Sequence, residues 1–124
     1  MKKEELSEFL KLNKQFQADC ERVKKHMVRY DSDYLDVYSE WYINSCGECE
    51  SLGDVYSRGC FMGTTFVSFD PELLAKTDED LESYVNKLIE EKEQKKREEE
   101  EERAKREQDT KLKMFNKLKE ELGL

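Results

Sequence analysis

The sequence is poor in features on which many enzymes and membrane proteins depend. Its 124 residues include one histidine, one proline and five glycines. No apolar run approaches the roughly 18 residues of a membrane-spanning helix, and residues 1–14 lack the continuous apolar stretch of a signal peptide. The glycines fit neither a phosphate-binding loop nor a dinucleotide-binding motif, and no pattern of acidic residues singles out an acid/base pair. We therefore expect a protein that is not an enzyme and has no membrane segment.

Charge is abundant, and its balance differs along the chain. Lys and Arg number 22 and Asp and Glu number 30, which gives a formal net charge of −8. Residues 1–29 hold eight basic and five acidic residues, and residues 82–124 hold twelve and thirteen. Residues 30–81, in contrast, hold two basic and twelve acidic residues. The excess acidity therefore lies in the centre, and it argues against direct binding to nucleic-acid phosphates.

The N-terminal segment predicts one amphipathic helix over residues 2–30, which contain neither glycine nor proline. Two apolar series, each with a seven-residue repeat, are offset by three and four residues, as on one face of a helix. Such a face packs either on a sheet or against another helix, and Asn13 would fix the register in the second case. The series are Phe9, Phe16, Val23, Tyr30 and Leu6, Asn13, Cys20, Met27.

The central segment predicts strands. After the helix-breaking Asp31-Ser32-Asp33, residues 34–43 alternate with a period of two, which indicates a half-buried strand. Residues 44–53 are turn-rich, Arg58-Gly59 separates two short strands over residues 55–57 and 60–62, and a further strand follows over residues 64–69. In the first strand the predicted buried face consists of Leu35, Val37, Trp41 and Ile43, and the predicted exposed face of Tyr34, Asp36, Tyr38, Glu40 and Tyr42.

The C-terminal segment predicts a short helix beginning at Asp70-Pro71 and a long one that begins after the N-cap Thr77. Acidic residues repeatedly precede basic residues by four positions, as in Glu93–Arg97 and Glu102–Arg106, which favours a continuous solvated helix. Apolar side chains return near its end, where we expect them to pair with a second chain. These dimerisation residues are Leu112, Phe115, Leu118 and Leu122.

The predicted fold class is therefore α+β, with an N-terminal helix, a small antiparallel sheet of two to four strands and a long charged C-terminal helix. We expect a compact domain over residues 1–89. The charged helical extension with its distal apolar patch would occupy residues 90–124.

The cysteines offer one recognisable metal-ligand spacing. Cys46 and Cys49 form a CxxC pair, Cys60 follows, and Cys20 on the apolar helix face is the fourth candidate for a zinc site. A second paired spacing is missing, so the alternative is four reduced thiols of a cytosolic protein. His26, among lysines, is expected on a solvated face. We expect no cofactor, and a zinc site remains the alternative.

The acidic, tyrosine-rich centre is the predicted binding surface. Tyrosine contributes large contact areas to protein interfaces, and neighbouring carboxylates attract a basic partner. The alternative is an ordinary solvated sheet face, or one covered by a helix. The candidate partner-binding residues are Asp33, Tyr34, Asp36, Tyr38, Glu40 and Tyr42.

The layout of the C-terminal two-thirds resembles small accessory proteins of bacteriophages. An aromatic acidic hairpin is followed by the sequence FDPELL at residues 69–74, and a Lys/Glu-rich helix ends in MFNKLKEELG at residues 114–123. The resemblance implies a counter-defence protein, similar to anti-CRISPR and anti-restriction proteins, acting in the cytoplasm of a bacterial host. It would occupy a basic groove of a nuclease or another nucleic-acid-binding protein. The alternatives are an assembly protein that uses its long helix as a coiled coil or spacer, and a zinc-stabilised binding module.

Overall fold

A computed structural model describes residues 2–123 and confirms the α+β class. The two helices are α1 (Lys3–Met27) and α2 (Asp78–Glu121), and the three strands are β1 (Tyr42–Ile43), β2 (Cys49–Ser57) and β3 (Cys60–Phe69). Two 3₁₀ helices, Ser32–Leu35 and Pro71–Ala75, precede β1 and α2 respectively. No helix within residues 2–123 is long and apolar enough to cross a membrane.

The chain divides into two compact units, Met1–Leu88 and Ile89–Leu124. The first contains α1, the sheet, both 3₁₀ helices and the first turns of α2. The second consists of the remainder of α2 and the residues after it, and the side chains of residues 90–123 are exposed. Of the predicted charge pairs, Glu102–Arg106 forms an ion pair of 2.6 Å one helical turn apart.

The sheet is antiparallel in the order β1-β2-β3. The predicted turn at Arg58-Gly59 connects β2 and β3, and both of its residues have positive φ, 53° and 78°. A two-residue hairpin with two such residues matches the twist of the flanking strands. Register shifts after Val55, where Met62 becomes the extra residue of a bulge on β3.

The long strand predicted over residues 34–43 is wrong. Only Tyr42–Ile43 is extended and paired, whereas Ser32–Leu35 forms a 3₁₀ helix. The 3₁₀ helix forms for a local reason: the Asp31 carboxylate accepts a hydrogen bond of 3.0 Å from the backbone N–H of Asp33 and caps the turn. Leu35 and Ile43, predicted to be buried, are 67% and 52% exposed.

The prediction of a turn over residues 44–53 holds only at its start, because β2 begins at Cys49. The inward-facing residues Cys49, Ser51 and Gly53 are all small, and they are buried. At Gly53 a Cβ atom would lie 1.8 Å from the carbonyl oxygen of Asp36, so the backbone of residues 36–37 crosses the inner face of β2 directly above it. These small residues are typical of turns, but in this strand they make room for the segment that crosses it.

The core lies between the inner face of the sheet, the second half of α1 and the first turns of α2. Trp41 is 3% exposed, and its ring lies 5.3 Å from that of Phe69. The apolar face of α1 is buried only in its second half, since Leu6 and Phe9 are 46% and 55% exposed. Fully or nearly fully buried residues include Cys20, Val23, Met27, Val37, Cys49, Val67, Leu73, Leu81 and Val85.

Side chains of α1 form hydrogen bonds with the segment before β1. The Gln17 amide accepts a hydrogen bond of 2.8 Å from the backbone N–H of Trp41 and donates one of 2.8 Å to its carbonyl oxygen. Both backbone groups of a buried residue are thereby satisfied by one side chain, as a neighbouring strand would satisfy them. The indole N–H of Trp41 donates to Glu21, one helical turn further along α1, at 3.0 Å.

We predict that Gln17→Ala lowers the free energy of unfolding by about 1–3 kcal/mol, because it leaves the N–H and C=O of Trp41 without partners. Gln15→Ala is the matched control, since the Gln15 amide donates only to the exposed Asp19 on the same helix. Urea denaturation of both variants measures the difference. Equal stabilities for the two variants would contradict the role assigned to Gln17.

Candidate protein-binding face

The side chains of the sheet that point away from the core form an exposed surface, which we call the outer face. Successive side chains of a strand point to opposite sides of the sheet. Since the buried residues Cys49, Ser51 and Val67 face inward, their neighbours along the strands belong to the outer face. At its centre Leu52 on β2 is paired with Phe66 on β3, and these side chains are 37% and 61% exposed. The outer face consists of Tyr42, Glu50, Leu52, Asp54, Thr64, Phe66 and Ser68.

Two tyrosine–carboxylate pairs flank Leu52. The hydroxyl of Tyr38 donates a hydrogen bond of 2.7 Å to the Asp54 carboxylate, and the hydroxyl of Tyr42 donates to the Glu50 carboxylate. Each carboxylate lies two residues from Leu52 on β2, one towards either end. The hydrogen bond to Asp54 raises the pKa of Tyr38, and the bond to Glu50 raises the pKa of Tyr42, because a neighbouring carboxylate disfavours phenolate formation.

Exposed aromatic surface continues towards the hairpin tip. The rings of Tyr56 and Phe61 meet edge to face with centroids 5.8 Å apart, and both side chains are at least 60% exposed. Met62, the bulge residue beside them, is 65% exposed. An edge-to-face aromatic pair contributes about 0.5–1.5 kcal/mol beyond the area it buries, so this contact stabilises an apolar surface at the tip.

The structure brings part of the predicted partner-binding set to the outer face. Tyr42 belongs to it, and Tyr38 reaches it through its hydrogen bond to Asp54. Asp33 is exposed on the first 3₁₀ helix, and Asp36 and Glu40 are exposed on the segment between that helix and β1. The assignment of Tyr34 is wrong. It is 3% exposed, and its hydroxyl donates a hydrogen bond of 3.2 Å to the carbonyl oxygen of Ser68, so it belongs to the core rather than to a binding surface. Burial raises its pKa.

Sequence reasoning missed Glu50, Leu52, Asp54 and Phe66. A period of two does run through residues 49–55, with these larger residues outward and small residues inward. The signal was concealed because Cys49, Ser51 and Gly53 are typical of turns. The sequence predicts a strand that includes Phe66, but it does not indicate whether this side chain points to the core or to the outer face.

The four candidate metal ligands do not come together. Cys20 and Cys49 are buried against each other between α1 and β2, whereas Cys46 and Cys60 are exposed. Cys60 pairs with Ser57 at one end of β2 and Cys49 begins the other end, so these two thiols are separated by the length of the strand. Residues 2–123 contain no group of three or more potential metal ligands. Burial raises the pKa of the Cys20 and Cys49 thiols.

The expectation of a solvated His26 is also wrong. Its side chain is 21% exposed, and Nε2 lies 3.2 Å from the Asp78 carboxylate at the start of α2. Arg22 donates to the same carboxylate and to the carbonyl oxygens of Leu74 and Lys76, at 3.1 and 2.8 Å. The hydrogen bonds from His26 and then Arg22 lower the pKa of Asp78. This cluster fixes the start of α2 against α1.

The predicted dimerisation residues lie in the second unit, and each is more than half exposed. Exposure of Leu112, Phe115, Leu118 and Leu122 is 59%, 63%, 55% and 69%. Such a concentration of exposed apolar side chains on one helix end is typical of an interaction site.

No family model, curated protein or solved structure matches this chain.

We predict that Asp54→Asn lowers the pKa of Tyr38 towards the ordinary tyrosine value, because the substitution removes the negative charge that its hydroxyl faces. Nuclear magnetic resonance of ¹³C-labelled tyrosine rings measures each pKa separately. Tyr42 is the internal control, since its carboxylate partner is Glu50, and its pKa should not change. An unchanged Tyr38 pKa would show that Asp54 does not set it.

Proposed function

We propose that the protein is a non-enzymatic binding module whose outer face binds a protein partner with a basic surface. The observation that supports it is the arrangement around Leu52, where two tyrosine–carboxylate pairs flank an exposed apolar pair. Interfaces commonly combine an apolar centre with a charged rim, and tyrosines are frequent among their energetically important residues.

The charge of the outer face favours a basic partner. Glu50 and Asp54 lie on it, Glu40 lies on the adjacent exposed segment before β1, and no lysine or arginine belongs to the outer face. Long-range attraction would accelerate encounter with a positively charged partner, and salt would weaken it. Hydrogen bonds from Tyr38 and Tyr42 hold two of the carboxylates in place before binding, which reduces the entropy lost on association.

A basic groove that normally holds nucleic acid is the partner surface we favour. The carboxylates of the outer face would take the place of phosphates in this groove. The apolar centre would add an apolar contact, which phosphates cannot make. In this form the protein is a phage-encoded inhibitor of a bacterial nuclease or related host protein, and it acts in the cytoplasm. Reduced cysteines, free in the described chain, suit that compartment.

The test is partner capture from a bacterial lysate with identification by mass spectrometry. We predict that Glu50→Lys with Asp54→Lys weakens binding of the captured protein on the order of tenfold or more, since both carboxylates of the outer face change sign. Glu4→Lys with Glu8→Lys is the control, because it changes the net charge equally on α1 and leaves the outer face unchanged. Circular dichroism checks that both variants fold.

Equal capture by the two double variants would exclude the outer face as the binding surface. Competition by single- or double-stranded nucleic acid separates the two forms of the proposal. Loss of capture in its presence supports the groove, and undiminished capture limits the proposal to a basic protein surface elsewhere.

Assembly through the C-terminal end of α2 is the second candidate function, and the exposed apolar residues Leu112–Leu122 favour it. We predict that Phe115→Asp with Leu118→Asp lowers the mass of the assembly measured by light scattering, because charged side chains replace the apolar contacts. Ala104→Asp with Thr110→Asp, outside the apolar patch on the same helix, is the control. A mass that is unchanged by the first pair would remove this patch from any assembly.

A further inference from the structure

β3 is an edge strand, and three hydrogen bonds establish which of its backbone groups face outward. Leu52 accepts from the N–H groups of Tyr38 and Ser39, each at 3.0 Å, so its carbonyl points away from β3. Backbone direction alternates along an antiparallel strand. The backbone N–H and C=O groups of Gly53, and of the residues two positions before and after it, therefore point towards β3. The corresponding groups of Thr65 and Val67 point towards β2. Thr64, Phe66 and Ser68 consequently direct their N–H and C=O groups to the open side.

The third hydrogen bond agrees with this assignment and limits the open edge at one end. The hydroxyl of Tyr34 donates to the carbonyl oxygen of Ser68 at 3.2 Å, so this group points outward and is already occupied. At the other end the bulge at Met62 interrupts the regular strand. Among residues 2–123, no hydrogen bond from a loop or turn reaches the backbone of Thr64 or Phe66. The part of the edge between these two limits consists of residues 63–67, and the 3₁₀ helix Ser32–Leu35 packs against the same strand.

The composition of β3 favours its own copy as the occupant of this edge. All ten residues of Cys60–Phe69 are uncharged, in a chain whose net charge is −8. The acidic residues of the central segment would repel those of a second copy, whereas two β3 strands meet without placing like charges opposite each other. Lysine and proline, which commonly protect exposed edges, are missing from the strand.

We infer that β3 pairs antiparallel with β3 of a second copy about a two-fold axis at Thr65. In this register Thr64 lies opposite Phe66 of the second copy, and the reverse pair follows by symmetry. Both are residues whose backbone groups face outward, so each pair exchanges two N–H···O bonds.

Neighbouring registers satisfy fewer groups. A two-fold axis at Phe66 would place Thr64 opposite Ser68, whose carbonyl already accepts from Tyr34. An axis at Thr64 would place Phe66 opposite the bulge residue Met62. The axis at Thr65 uses neither residue.

Pairing of this kind is closed at two copies. It joins two three-stranded sheets in the order β1-β2-β3-β3-β2-β1, so both outer edges are formed by the two-residue strand β1. Strands this short offer little for a further copy to pair with. The two outer faces become one surface with both Phe66 side chains near its centre.

Cross-linking tests the register directly. At Thr65 the two Cα atoms would lie about 4.5 Å apart, within the range of a disulfide, whereas the two Thr64 Cα atoms would lie more than about 7 Å apart. Thr65→Cys is therefore expected to give a covalent dimer, and Thr64→Cys is the matched control. Each is made with Cys46→Ser and Cys60→Ser, because both native thiols are exposed.

Oxidised glutathione serves as the oxidant: two protein thiols lose two electrons and two protons to form the disulfide, and the oxidant is reduced to two glutathione thiols. A doubled mass on a non-reducing gel for Thr65→Cys, and not for Thr64→Cys, supports the inference. Equal yields for the two variants, or no dimer from a folded Thr65→Cys protein, overturn it. Adding Phe115→Asp and Leu118→Asp should leave the result unchanged, which separates this pairing from assembly through α2.

Hydrogen exchange of the unmodified protein gives a second test that does not depend on a variant. The amides of Thr64 and Phe66 should be protected at millimolar concentration and lose protection on dilution. Those of Thr65 and Val67, bonded to β2, should stay protected throughout. If Thr64 and Phe66 exchange as freely as loop amides at every concentration, β3 pairs with no second copy.

Discussion

The pairing of the Gln17 amide with the backbone of Trp41 is the contact on which the arrangement of the first unit depends. It holds α1 beside the segment that leads into β1, and it leaves the Trp41 ring free to pack on Phe69 of β3. Glu21 and Lys24 of the same helix add hydrogen bonds to the Trp41 indole and the Val37 carbonyl oxygen. Polar side chains of α1 thereby hold the helix against the segment before β1.

The same segment positions one of the two tyrosine–carboxylate pairs. Residues 36–37 cross the inner side of β2 above Gly53, and Tyr38 then bonds Asp54 on the opposite side. A side chain at position 53 would displace this crossing and with it the tyrosine. The hydrogen bond between Tyr38 and Asp54 therefore depends on the absence of a Cβ atom on the inner face.

Elements with strong local signals were predictable from the sequence. The repeat in α1, the N-cap Thr77 and the Arg58-Gly59 turn were each assigned to the element they form. Residues 34–43 alternate between apolar and polar side chains, and this pattern predicts a strand. The strand does not form because Asp31 caps a turn and because the chain crosses β2 above Gly53. The candidate site was half predicted. Tyr38 and Tyr42 carried a recognisable pattern, but their partners Asp54 and Glu50 become neighbours only through strand pairing.

The buried contact between Cys20 and Cys49 gives the protein an internal reporter of its own opening. Both thiols are fully buried and their pKa values are raised, so almost no thiolate is available to an alkylating reagent while the first unit is folded. Cys46 and Cys60 are exposed and react without any opening. The slow modification of the buried pair therefore reports the opening of α1 from the sheet. The fast modification of the exposed pair measures the reactivity of the reagent in the same molecule.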